Sequence, residues 1–354
     1  MSKAAELAAL IGSQTALSNR NLVINGAMAI SQRGTSSTGI TSSGYRSAPD
    51  RFRPSIGSAG TWTISQSTDV PTGEGFAHSY KFDCTTAKSS LDAGSDMALQ
   101  YRFEGQDLQL LKKGTSSAAP VTVSFYVKST KTGTFILELM DNDNAREISK
   151  SYTISSSNTW ERKTVTFEGD TTGALDDDNA RSFTLQWWLV AGTNFSSGTL
   201  NTSWSDPATA NRVVGQVNIA DSTSNDWLLT GVQLEVGEQA TPFEHRTFHD
   251  EFMRCQRYYQ EIHGGSCEPS SSSVVETSFT RLPMRAAATG SVSAAIDIED
   301  PNVTTYTQSS GAISVNNATA RAEKIGLSNF SSLGTSKSFF IKTTGGHIQL
   351  DAEL

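Results

Sequence analysis

The sequence predicts an all-β protein: a jelly-roll β-sandwich followed by a short helix and a second, smaller β domain. Three observations carry this. Short segments with apolar residues at every second position recur between residues 21 and 248, with no helical crossovers between them. The punctuation between them is Gly, Ser and Asp-Asn, residues that close turns. Charged residues make up only 18% against 36% hydrophobic, with six Trp and sixteen Phe, a balance that suits pleated, half-buried strands.

The elements follow in order. Ala4, Leu7, Ala8 and Ile11 recur at helical spacing before Gly12, so residues 1–20 read as an N-terminal helix and docking segment. A helix this short needs a partner surface to be stable in water. Asn21-Leu-Val-Ile-Asn25-Gly26 reads as a short apolar strand ending in an Asn-Gly turn. It opens a jelly-roll domain over 21–248. TWTISQS (61–67) alternates, and PVTVSFYVKS (120–129) puts Val121, Val123, Phe125 and Val127 on one face. GTFILELMDNDN (133–144), WERKTVTFEG (160–169) and RSFTLQWWLVAG (181–192) follow. NDWLLTGVQLEVG (225–237) closes the series as a strand flanked on both sides. The gaps at 68–96 and 193–224 read as long loops, where binding function concentrates.

From Thr247 to Ile262 the period turns helical, with Phe248, Phe252, Cys255, Tyr259 and Ile262 on one face. Thr247 is placed to cap this helix, Asp250 to reach back to the cap, and Gly264-Gly265 to end it. Residues 249–263 are thus a linker helix, and 264–354 a β domain built on runs such as GSVSAAIDIE, GAISVNNA, SKSFFIKT and GHIQLDAEL.

Composition narrows the function. The net charge is -8, the pI about 5.2, and no Lys/Arg block stands out, which argues against a nucleic-acid partner. No apolar run reaches the roughly 18 residues of a membrane span, and the N-terminus lacks a signal-peptide apolar region. Synthesis in a cytoplasm is the expectation. Cys84, Cys255 and Cys267 are too few and too scattered for a disulfide framework or a zinc site.

Several segments are familiar together. Asn21 through Gly34 (NLVINGAMAISQRG) is followed by Tyr45 and Asp50-Arg51-Phe52. Thr230–Gly237 leads to Thr241-Pro242-Phe243-Glu244. Cys255-Gln-Arg257-Tyr258-Tyr259 and Leu282-Pro-Met284-Arg285 come after. In this order, over residues 15 to 290, the set resembles bacteriophage tail-fibre and virion-appendage proteins built around a carbohydrate-binding-module-like jelly roll, especially those of marine podovirus-like phages. The resemblance implies a structural virion protein located on the particle, a homo-oligomer, expected as a homotrimer. Its partners would be other virion proteins of tail, neck or capsid and a host surface glycan bound by jelly-roll loops. It carries over the framework and no binding residues. The alternatives are a decoration or connector protein without a receptor role and, further off, a glycan depolymerase.

No catalytic residues are expected. Glu244-His245-Arg246, Asp250 and Glu251 read as a structural joint, and Cys255 on an apolar helix face lacks the setting of an activated thiolate. No carboxylate pair is singled out for glycoside hydrolysis. For glycan binding the candidates are Trp204, with Asn201 and Asp206 beside it in one loop, and Trp188, which points away from its neighbour Trp187 on a strand. Asp141, Asp143, Asp176 and Asp178 lie in oxygen-rich loops of the kind calcium prefers. Neither loop has EF-hand spacing, and Asp and Asn close hairpin turns unaided. A structural calcium is therefore the one cofactor these loops suggest; no other cofactor or metal is expected.

Overall fold

The computed structural model describes Lys3 and residues 19–280, 283–311, 313–316, 322–333, 338–342 and 346–354. The predicted helix around Ala4, Leu7, Ala8 and Ile11 lies outside the described residues. The chain divides into two compact units, residues 1–251 with Leu354, and residues 252–353. No helix among the described residues is long and apolar enough to cross a membrane.

The first unit is a jelly-roll sandwich. Its described strands are β1 (Ser36–Ile40), β2 (Phe52–Gly57), β3 (Thr61–Ser67), β4 (Ser79–Thr86), β5 (Asp96–Glu104), β6 (Val121–Ser129), β7 (Gly133–Asp141), β8 (Arg146–Ile154), β9 (Glu161–Phe167), β10 (Arg181–Ala191) and β11 (Asp226–Val236). One sheet has the order β1-β3-β4-β11-β6-β9 and the other β2-β5-β10-β7-β8, every pair antiparallel. Trp62, Ile64, Tyr80, Phe82 and Phe125 of one sheet bury against Phe52, Leu99, Leu137, Leu185 and Trp187 of the other. Rings meet across the layer: Phe125 and Trp187 stand edge-on at 5.8 Å, and Phe52 and Tyr80 lie 6.3 Å apart. The last two strands, β10 and β11, occupy central positions in their sheets. The five-stranded sheet is not continuous until residue 191 has been placed, and the six-stranded sheet not until residue 236.

β11 explains its own imperfect alternation. Trp227 and Leu229 are buried, then Val232 and Leu234, so the inward parity changes between 229 and 232. The register against β6 shifts between Thr230 and Gln233, and Gly231 sits there at φ +62°. A bulge at a glycine turns the second half of the strand over.

Three expectations need correction. Residues 21–26 are not a strand. Asn21 Oδ1 accepts from Val23 N and Leu234 N, and residues 24–27 form the Asn-Gly turn alone, with Asn25 at φ +61°. The stretch docks on β11 through Leu22 N to Leu234 O at 3.0 Å and Val232 N to Gly26 O at 2.9 Å. The gap at 68–96 is not one loop, because β4 lies within it: Tyr80, Phe82 and Cys84 alternate inward and Lys81 and Asp83 outward. The helix predicted to Ile262 stops early. After the short α1 (Thr193–Ser196), α2 covers Phe248–Gln256 only. Tyr258 N turns back to Cys255 O at 2.9 Å, and Tyr259–Ile262 becomes a strand. Tyr and Ile suit a strand when a partner is at hand. The cap forms as expected, with Thr247 Oγ1 accepting from Asp250 N at 3.2 Å and donating to Asp250 Oδ2 at 2.7 Å. Cys255 is buried.

The second unit contains, among its described residues, β12 (Tyr259–Ile262), β13 (Gly265–Ser271), β14 (Val274–Thr280), β15 (Thr289–Val292), β16 (Asp297–Glu299), β17 (Thr305–Thr307), β18 (Ile313–Asn316), β19 (Ala322–Leu327), β20 (Phe339–Ile341) and β21 (Ile348–Asp351). They form a sheet ordered β12-β21-β15 and another ordered β17-β16-β20-β13-β14-β19-β18. Cys267, Val275, Ile298, Ile325, Phe339, Ile348 and Leu350 make its core. Burial holds the Cys267 thiol up at about 12, the nearby Glu268 adding to it, so this cysteine is inert.

Candidate functional site

The sandwich carries an aromatic cleft on the outer face of the six-stranded sheet. Tyr126 occupies the outward position of β6 between the buried Phe125 and Val127. Arg162 pairs with it directly across on β9. Two loops complete the wall. Residues 72–78 bring Glu74 and Phe76, and the segment after β11 brings Pro242, Phe243 and His245. Together these side chains line a cleft of about 390 Å³. A second hollow of about 190 Å³ adjoins it and shares Phe243 and His245.

The rings support one another. Phe76 lies 5.5 Å from Tyr126, 5.0 Å from Phe243 and 5.2 Å from His245, and Phe243 lies 4.9 Å from His245. Gly231 forms the floor. A methyl group there would stand 2.6 Å from Phe76 Cζ and 2.9 Å from Tyr126 Cδ2, so the β11 bulge is also what lets the rings close down. Polar groups rim the aromatic surface. Tyr126 Oη donates to Glu74 Oε2 at 2.7 Å, and Arg162 Nη2 donates to Thr241 O at 2.8 Å. Burial, helped by Glu74, pushes the Tyr126 hydroxyl up to about 12, so it remains a neutral donor. The second loop is pinned from behind: Thr241 N and Oγ1 donate to Glu235, and Glu244 N donates to Gln233 Oε1 at 2.7 Å.

Glu244 and Arg246 do not line the larger cleft; they border the adjoining hollow and are engaged by the chain itself. The Glu244 carboxylate accepts Asn19 N at 2.7 Å and Asn21 N at 2.8 Å. Burial raises its pKa, but those two N–H groups with Arg246 and Arg20 outweigh it and hold the group below the usual carboxylate range. Arg246 Nη1 donates to Val23 O at 3.2 Å and pairs with Glu251 at 2.9 Å. These residues clasp the start of the domain to its end. Their neighbour His245 alone of the triplet turns to the cleft. Among the described residues lining the 390 Å³ cleft, Glu74 is the only carboxylate.

The residues expected from sequence to bind glycan are placed elsewhere. Trp204 packs on the core beside Phe183, 6.0 Å between rings, and Nε1 donates to Glu168 O at 2.7 Å. The hollow next to it measures about 10 Å³, room for no more than a water. Asn201 Nδ2 donates to Ser205 Oγ at 2.6 Å. The Asp206 carboxylate is exposed, 3.5 Å from Arg146. Trp188 does point away from the core, as Trp187 does not, yet it is only 3% exposed. Val213 and Phe195 of the 193–221 segment cover it. Its Nε1 donates to Glu138 Oε2 at 2.7 Å, and the Arg212 guanidinium lies 5.2 Å over its ring. Arg212 also bridges Glu138 at 2.7 Å and Glu147 at 3.2 Å. Burial and then the facing Glu138 carboxylate raise the Glu147 pKa to about 7. The structure brings Trp204, Asn201 and Asp206 to one region as structural contacts and leaves Trp188 under a lid.

The aspartate loops are likewise self-contained. Asp141 takes Asp143 N, Asn144 N and the Lys113 ammonium, Asp143 Oδ2 accepts Asp176 N, and Asp178 Oδ1 accepts Ala180 N.

Tyr126 was legible in the sequence as the aromatic outlier on the polar face of PVTVSFYVKS. Phe76 and His245 sit in loops that no periodicity marks.

No family model matches this sequence, and no curated protein matches it. Solved structures similar to the chain include the following three. The enzymatically active domain of tailspike protein 4 of bacteriophage CBA120 is 12% identical over 61% of this chain, with a TM-score of 0.31; the chain spans 21% of that protein's length. The module TmCBM61, solved with β-1,4-galactotriose, is 11% identical over 62% of this chain and 99% of its own, with a TM-score of 0.32. The N-terminal cellulose-binding domain of the Cellulomonas fimi β-1,4-glucanase C is 13% identical over 53% of this chain and 90% of its own, with a TM-score of 0.27.

Proposed function

We propose that the first unit is a non-catalytic glycan-binding module of a phage virion appendage, and that the sugar sits in the Phe76–Tyr126–Phe243 cleft. The observation that carries the binding proposal is the cleft itself. Clustered rings offer an apolar face for sugar C–H groups. Glu74, Arg162 and the Tyr126 hydroxyl stand at the rim, with donor and acceptor capacity for sugar hydroxyls. Hydrolysis would call for a second carboxylate beside Glu74; Glu244 and Glu251, which line the adjoining hollow, are instead engaged by Arg246. The appendage role rests on the resemblance of residues 15 to 290.

A single open site of this kind binds with roughly 4 kcal/mol, on the order of millimolar. Several copies on one particle raise that by about 10²–10⁴ where the geometry allows simultaneous engagement. That gain is the physical reason to expect an oligomer, a trimer in this proposal, attached to other virion proteins.

The test is a glycan array with the full chain, followed by titration of the best ligand against Phe243→Ala and Tyr126→Ala. Removing one ring uncovers enough apolar area to cost about 1–1.5 kcal/mol, roughly tenfold in affinity. Binding that ignores both substitutions would place the sugar elsewhere. A blank array would favour a connector without a receptor role, and release of reducing ends would favour a depolymerase.

A further inference from the structure

We infer that the second unit holds a divalent transition-metal site of the zinc class, formed by Glu261, His263 and His347. The site follows from strand register. Glu261 stands in β12 and His263 follows one residue past its end, the two side chains projecting together. β12 pairs with β21 as Glu261 with Gln349 and Ile262 with Ile348, and just beyond the end of this ladder His263 and His347 lie ring to ring. On the other side of β21, Ser291 pairs with Gln349 and Val292 with Ile348, which sets Ser293 beside His347. One face of the three-stranded sheet is therefore buried, with Ile348 and Leu350 in the core. The other gathers two imidazoles, a carboxylate, an amide and hydroxyls.

The distances match a metal's needs. His263 Nε2 lies 3.1 Å from Glu261 Oε2, and His347 Nε2 lies 3.2 Å from Glu261 Oε1. The two rings are 4.4 Å apart, and a donor atom from each of the three residues lies within 4.8 Å of the others. Ligands at zinc-like bond lengths around a tetrahedral ion stand about 3.3–3.5 Å apart. The set needs only a small closure of the two rings.

Two features distinguish this set from a surface ion pair. His347 Nε2 is buried and makes no hydrogen bond, although the carboxylate is beside it. On its other edge, Nδ1 lies 3.0 Å from Ser293 Oγ. With the proton on Nδ1, donated to Ser293, Nε2 presents a lone pair toward a carboxylate, and a cation between them removes the conflict. That tautomer, whose Nδ1 proton Ser293 Oγ is placed to accept, is the one a metal ligand needs. The carboxylate is oriented in the same manner: Tyr259 Oη donates to Glu261 Oε1 at 2.8 Å and Gln349 Nε2 at 3.4 Å. The His263 side chain is 57% exposed, so the fourth position faces solvent and takes a water or an exchangeable ligand. Two nitrogens and one oxygen select zinc, cobalt or nickel over calcium or magnesium.

The experiment uses the untagged full chain. Zinc is titrated by calorimetry, and cobalt is added as a visible-absorbing substitute. The expected result is about one zinc per chain and a tetrahedral cobalt spectrum. His263→Ala, an exposed position that leaves the fold intact, should abolish both. Ser293→Ala should weaken zinc roughly 10–100-fold, as loss of an outer-shell partner does. His249→Ala, outside the set, should change nothing. Zinc binding that survives the double variant His263→Ala/His347→Ala, or no binding to the wild-type chain, overturns the assignment.

Discussion

The Lys113 ammonium sits 2.6 Å from Asp141 Oδ2 inside a cage that the chain closes around it. Asp170 Oδ2 follows at 3.0 Å, and the carbonyl oxygens of Thr172 and Gly173 at 2.7 and 2.9 Å. The Lys113 and Asp141 side chains are 3% and 0% exposed. Burial alone would raise the Asp170 pKa, but Arg146 and Lys113 outweigh it and hold the group below its ordinary value. Four oxygens converge on a cation here, fewer than the roughly six to eight that calcium takes, and a side chain supplies that cation.

Lys113→Met should therefore destabilise the sandwich by about 3–5 kcal/mol, because it strands buried carboxylates without their partner. All six Trp belong to the first unit, so the intrinsic fluorescence in a urea titration reports on it alone. Wild-type chain should show the same midpoint with and without calcium. A calcium-dependent midpoint in the wild type would place a calcium site in these loops.

Gly231→Ala should damage the cleft and the fold together. Its φ of +62° disfavours any side chain, and the added methyl would meet Phe76 at 2.6 Å. A cost of about 1–3 kcal/mol is expected, with a fall in ligand affinity. Comparing the urea midpoint and the titration curve of the same preparation checks both.

Trp204→Ala separates packing from recognition. The ring packs on the core and stacks near Phe183, so its loss should cost about 3 kcal/mol of stability and leave glycan affinity unchanged. Lost affinity with unchanged stability would restore Trp204 as a binding residue.

Glu147 sets a pH dependence of stability. Its folded pKa of about 7 stands above the ordinary 4.5, so the folded state holds a proton that the unfolded chain releases. The contribution of Glu147 to the stability of the first unit is thus fully present below that ordinary value and is lost as pH rises from about 4.5 to 7. The slope is at most about 1.4 kcal/mol per pH unit for one proton. Glu147→Gln keeps an acceptor for Ala208 N, at 3.1 Å in the wild type, and should flatten the slope in urea midpoints across that range.

Strands whose inward residues were uniformly apolar, such as β3, β6 and β10, could be read from alternation. β4 was passed over because Lys81 and Asp83 interrupt it, though they sit on the solvent face. Tyr259 and Ile262 fit a helical stripe as well as a strand, and only the distant partner β21 decides between them. The surroundings of the binding candidates were hidden for a related reason. An aromatic in a loop looks exposed until one knows what the loop covers, and Trp188 and Trp204 both lie under or against other segments. The Glu261, His263 and His347 set spans 86 positions and exists only through strand register.

The Glu244 and Arg246 clasp has a mechanical consequence. It ties Asn19 and Asn21, where the sandwich begins, to the segment that leaves it. Tension applied along the backbone would load this corner first, and the two sheets would bear none of it until the corner gave way. His245 lies between the two clasp residues and lines the cleft, so a pull on the chain would be felt there before the sheets.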